Sequence, residues 1–139
     1  MSNTQALCNQ FKLDILGDFL DANSLKAALY LATATVNKDT TAYSGTGEVS
    51  GTNYTAGGVA VTNGTAALDG DVAHWTPGAS FSWSNVTLAT AFDAVLIYDT
   101  SRTNAAVSVH TFGSQTVTAG DFTLTMPTDD GTTGLIRLS

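Results

Sequence analysis

The stretch Ala91-Phe-Asp-Ala-Val-Leu-Ile-Tyr98, then Asp99-Thr-Ser-Arg-Thr-Asn104, then Ala105-Ala-Val-Ser-Val-His-Thr-Phe112 decides the fold. Ala94 to Tyr98 is a dense apolar run, rich in β-branched and aromatic residues. At that length it reads as a strand buried on both faces. Asp99 to Asn104 is turn-forming, and Ala105 to Phe112 returns as the partner strand of a central hairpin.

Working outward, the flanking segments are short and punctuated by turns. Gly58–Val61, Thr65–Leu68, Val72–Trp75, Phe81–Trp83 and Val86–Leu88 read as strands before the hairpin. Asp69-Gly70-Asp71 and Pro77-Gly78 break the run. After the hairpin, Phe122, Leu124 and Met126 alternate with Thr123 and Thr125, as on a half-buried strand ended by Pro127. Leu135–Leu138 closes the chain. Ser24–Val36 reads as a first strand, with a helix as the open alternative because Lys26-Ala-Ala-Leu29 also favours helix. Residues 4–20 carry the one helical period: Leu7, Phe11, Ile15 and Phe19 recur at i+4, with Asn3 or Thr4 as N-cap. That apolar face is expected to lie on the sheet. The sum is a mainly β chain of 139 residues, read as a single-domain, jelly-roll-like β-sandwich with one N-terminal α-helix.

Composition narrows the function classes. Apolar residues make up 43% of the chain and charged residues only 12%, about half the usual share. The formal net charge is −7. Lys12, Lys26, Lys38, Arg102 and Arg137 are scattered, so no basic footprint for nucleic acid or an anionic membrane exists. A single cysteine, Cys8, excludes an intrachain disulfide and fits synthesis in a reducing cytosol. No run is long enough for a membrane-spanning helix, and the N-terminus lacks a signal-peptide pattern.

Visible chemistry is sparse. Ser108, His110 and Asp121 offer the residue types of a hydrolase triad, but same-strand neighbours do not make triad geometry, and no Gly-x-Ser-x-Gly elbow exists. Asp69-Gly70-Asp71 and Asp129-Asp130-Gly131 lack calcium-loop spacing and read as turns. Gly45–Gly58 is dense in glycine without a phosphate-loop ending. No catalytic residue, cofactor or metal is therefore assigned. Trp75, Trp83, Tyr54 and Tyr98 offer an aromatic platform, with core packing as the plainer reading, above all for Trp83.

In order along the chain, Cys8–Lys12, Leu25–Ala34, Thr40–Tyr43, Glu48–Gly58, Leu96–Tyr98, Ala106–Val107 with Phe112–Gly113, and Phe122–Pro127 with Leu135–Leu138 resemble a family of small structural proteins of tailed bacteriophages. The Glu48–Gly58 block is its most specific piece. One departure is Phe92-Asp93, where the family pattern carries a basic residue. The resemblance implies a virion component made in the host cytoplasm, a capsid decoration (cement) protein on the capsid surface. Its partners would be the major capsid protein and copies of itself. The glycine-rich segment Thr40–Gly58 and the helix would make the contacts, through Tyr43, Glu48, Tyr54 and Phe11, and Trp75 is assigned to partner contact as well. The alternative is a receptor- or glycan-binding module of a tail fibre or baseplate, which requires an exposed Trp75.

Overall fold

The computed structural model describes residues 3–139. The chain is mainly β, with one helix and two antiparallel sheets. Its elements are α1 (Asn9–Leu20), β1 (Leu25–Leu31), β2 (Val59–Ala60), β3 (Ala67–Asp69), β4 (Val72–Trp75), β5 (Phe81–Asp99), β6 (Ala105–Leu124) and β7 (Ile136–Leu138). They group into two compact units, one from Asn23–Thr62 and Ala79–Thr125, the other from the segment ending at Ala22 with Asn63–Gly78 and Met126–Ser139. Among the described residues no helix is long and apolar enough to cross a membrane.

The larger unit holds the sheet β2-β1-β5-β6. The expected hairpin is its spine, and Ala94 through Asp99 are all buried. A 3-10 turn at Thr100–Arg102 joins the strands, followed by Thr103 and Asn104 in left-handed backbone. Asp99 stabilises the turn by accepting from Ser101 N at 2.9 Å and from Asn23 Nδ2 at 2.7 Å. The short strands expected at Phe81–Trp83, Val86–Leu88 and Phe122–Met126 are not separate elements. They are the far ends of β5 and β6, which stay paired across repeated register shifts. Each shift is a bulge that bends the ribbon without ending it. Cross-strand aromatics fix the bulged region: Phe92 meets Phe122 edge-on at 5.0 Å and Phe112 at 6.0 Å. β1 is a strand over Leu25–Leu31, and pairs with β5 from Leu25↔Asp99 to Leu31↔Phe92.

The smaller unit holds the sheet β3-β4-β7 and packs α1 against β4. β4 spans the expected Val72–Trp75, and Gly70, at φ +60°, makes the tight turn before it. The helix begins at Asn9 rather than near Thr4. Its N-cap is Cys8, whose carbonyl accepts from Lys12 N, and no side chain caps it.

The helix is rotated by one residue step, about 100°, from the expected orientation. Its buried residues are Lys12, Leu16 and Leu20, an i+4 set offset by one position from the Phe11, Ile15 and Phe19 stripe. Lys12 is tolerated inside because its ammonium donates to Asp71 O at 2.9 Å and Asn9 Oδ1 at 3.2 Å, while its stem packs. Leu7 and Phe11 are left 50% and 54% exposed.

Candidate functional site

Two surfaces stand out, one in each unit. In the larger unit, the segment after β1 folds back over one face of the sheet. Ala34, Val36 and Tyr43 from that segment pack on the buried cluster Ala28, Tyr30, Ala94, Leu96 and Tyr98. Tyr43 stacks on Tyr98 at 4.7 Å. The glycine-rich run then follows β1 and reaches β5: Val49 N donates to Leu29 O at 3.0 Å and Thr87 N to Thr52 O at 3.2 Å. Two glycines make that approach feasible. A Cβ at Gly58, where φ is +83°, would sit 1.8 Å from Ala27 O, and one at Gly51 would sit 1.9 Å from Thr87 O.

Glu48, the one glutamate of the chain, gathers this segment. Its Oε1 accepts from Tyr43 Oη at 2.6 Å; its Oε2 accepts from Tyr54 Oη at 2.7 Å and from Gly57 N at 2.8 Å. Tyr54 Oη in turn accepts from Leu29 N at 3.0 Å, tying the carboxylate to β1. Tyr98 donates to Gly57 O and Tyr30 to Ser44 O, both at 2.6 Å. All four tyrosines of the chain thus secure one loop. Burial, then the bond to the Glu48 carboxylate, pushes the Tyr43 and Tyr54 phenols well above the usual tyrosine range. Burial and the same charge push Tyr98 up to about 12. The group is a clasp of neutral phenols around a carboxylate with three donors. An open pocket of ≈ 380 Å³ lies beside it, walled by Tyr30, Ala34, Val36, Thr40 and Ser44 among others.

The second surface is the outer face of α1. Phe11 shares it with Phe19, which is 43% exposed, and Leu7, 50% exposed, lies two residues before the helix. Asp14 and Asp18, also exposed, border the stripe. Cys8 is exposed next to it.

The five residues assigned to partner contact therefore separate. Tyr43, Glu48 and Tyr54 come together as one hydrogen-bonded group. Phe11 is at the surface. Trp75 is not: its exposure is 0%, so it packs inside and offers no ring face for a sugar. Trp83 is buried as well. That burial corrects the aromatic platform, and with it the exposed Trp75 that the tail-module alternative needed.

The structure does bring Ser108 Oγ to 2.9 Å from His110 Nε2, a pairing that the spacing argument passed over. Burial lowers the His110 pKa. Asp121, however, lies eleven residues along β6 from His110, on the order of 30 Å at strand rise, and accepts from Asn85 N. A second pairing, absent from the sequence reading, joins buried His74 Nδ1 to Asp129 Oδ1 at 2.7 Å. It anchors the chain before β7. Its partners lie 55 residues apart, which left no local signal. The two acidic turns also meet, where Gly131 N donates to Asp69 Oδ2 at 3.0 Å. Among the described residues no three His, Cys, Asp or Glu side chains converge on a metal-sized site.

No family model, curated protein or solved structure matches the chain.

Proposed function

We propose that the protein is a structural component of a tailed-bacteriophage virion, a capsid decoration protein that docks on the major capsid protein lattice. The observation that carries the reading is the outer face of α1. Phe11 is 54% and Phe19 43% exposed on the helix, and Leu7, just before it, is 50% exposed, on a chain whose charged residues are few. An apolar stripe kept at the surface serves association better than it serves the isolated fold. The clasped glycine-rich loop supports the same reading. Six interlocked hydrogen bonds hold it, so docking through it would cost little ordering entropy. The resemblance along most of the chain supplies the viral context. The expected jelly-roll-like sandwich belongs to this proposal rather than to the fold described above.

The mechanism is adhesion. A small subunit bridges neighbouring capsid proteins, and many weak contacts over a lattice add up to firm attachment. The test is copy number and rebinding. Purified virions should contain the protein in near-stoichiometric ratio to the major capsid protein. Heads stripped of it should take it up again, and Phe11→Ser should weaken that uptake. A handful of copies per particle, or virions without it, would overturn the proposal.

A further inference from the structure

The outer edge of β6 is unpaired over most of its length among the described residues, a feature independent of the capsid reading. β6 is the last strand of its sheet. Only its first residues are covered: Tyr43 N donates to Asn104 O at 2.9 Å, Ala106 N donates to Thr41 O at 3.0 Å, and Ala42 bridges Ala105. From Val107 to Leu124 no further strand pairs with it among the described residues. A long row of backbone N–H and C=O groups therefore faces outward.

Natural sheets guard such edges with lysine, proline, bulges or brevity. Between Ala105 and Gly120 there is no Asp, Glu, Lys, Arg or Pro, and β6 is 20 residues long. His110 is the one titratable side chain there, and burial holds its pKa below the ordinary value. Bulges do guard the far part, since the β5 register shifts repeatedly beyond Thr111. Ser108 to Thr111, however, pair without interruption with Ile97 to Ala94. An open groove of ≈ 370 Å³ runs beside this regular stretch, lined by Asn37, Lys38, Thr40 and Val107–Val109.

We propose that β6 pairs antiparallel with β6 of a second copy of this chain, about a twofold axis within Val107–Phe112, to form one continuous sheet across a dimer. Two features select a second copy over a foreign strand. An antiparallel edge presents alternating donor and acceptor pairs, so a twofold rotation satisfies both edges at once. The chain carries net charge −7, so most ways of joining two copies set acid against acid. The strand is uncharged there, and the Lys38–Asp39 ion pair beside it adds no net charge, so the copies meet without that repulsion.

The test uses the whole chain and sedimentation equilibrium. Wild type is expected to be a dimer. Thr111→Lys changes an exposed side chain and places like charges near the axis. It should weaken the dimer roughly tenfold or more with an unchanged circular dichroism spectrum. Lysine reduces the net negative charge, so a general loss of repulsion would act in the opposite direction. Phe11→Ser should leave the dimer intact. In a Cys8→Ser background, single cysteines placed along Val107–Phe112 should cross-link to their own copy only near the axis, on alternate residues. A wild-type monomer at every concentration reached would overturn the proposal. So would a dimer indifferent to Thr111→Lys, one lost in Phe11→Ser, or a dimer without self-cross-links in this stretch.

Discussion

Glu48 shows how much one side chain can organise when its neighbours lack alternatives. Its carboxylate closes the loop through two phenols and a backbone N–H. Glu48→Ala strands three donors, two of them on half-buried tyrosines. Bonds to a charged acceptor are worth roughly 1.5–3 kcal/mol each, not additively, so a loss of about 3 kcal/mol in urea unfolding is the expected result. Tyr54→Phe removes one of these bonds and also strands the buried Leu29 N that Tyr54 Oη accepts from, so it should cost about as much. The phenols also predict alkaline behaviour. Their folded pKa values lie above the free value near 10, so their contribution is complete below that pH. It is lost as pH rises through the folded values, because the unfolded chain releases those protons first. Ultraviolet titration should show tyrosines ionising above the free range, together with unfolding. Glycines give a matched pair. Gly70→Ala meets open space and only the strain of φ +60°, about 1 kcal/mol. Gly58→Ala would drive a Cβ into Ala27 O and should lower the melting temperature much further. The sequence placed Tyr43, Glu48 and Tyr54 in one distinctive block but not their mutual bonds. An acid in a polar, glycine-rich loop reads as solvated until the loop folds back.

Elements were legible in proportion to how local their cause is. Val72–Trp75 and the Ala91–Phe112 hairpin follow from alternation, apolar runs and turn residues, and they stand where expected. The joining of short strands into β5 and β6 was hidden, because a bulge and a turn both interrupt the period of two. The helix misleads for another reason. The aromatic side chains, Phe11 and Phe19, lie exposed and Ile15 is half-buried, whereas the buried stripe contains a lysine. Periodicity ranks Lys12 as polar, and its bonds to Asp71 O and Asn9 exist only after β4 is in place. The two stripes respond oppositely to change. Leu16→Ala opens space in a packed site and should cost about 2–5 kcal/mol. Phe11→Ser should stay within about 0.5 kcal/mol of wild type. Chemical denaturation of both variants checks the helix orientation directly.

At the scale of the molecule, the connections are long. β1 pairs with β5 and β4 with β7, so each sheet closes only after some sixty or more residues have been threaded between partners. Non-local pairing of this kind slows folding, to times on the order of milliseconds to seconds. Stopped-flow refolding should fall in that range, and a microsecond phase that recovers full signal would contradict it. The two compact units also divide the aromatic residues usefully. Trp75 belongs to one unit and Trp83 to the other, and both indoles are buried. The protein therefore carries a separate optical reporter in each half. Trp83→Phe leaves an emission spectrum that follows only the helix-bearing unit, and Trp75→Phe one that follows only the long hairpin. Two coincident melting curves would mean a single cooperative body; two displaced ones would give each half its own stability.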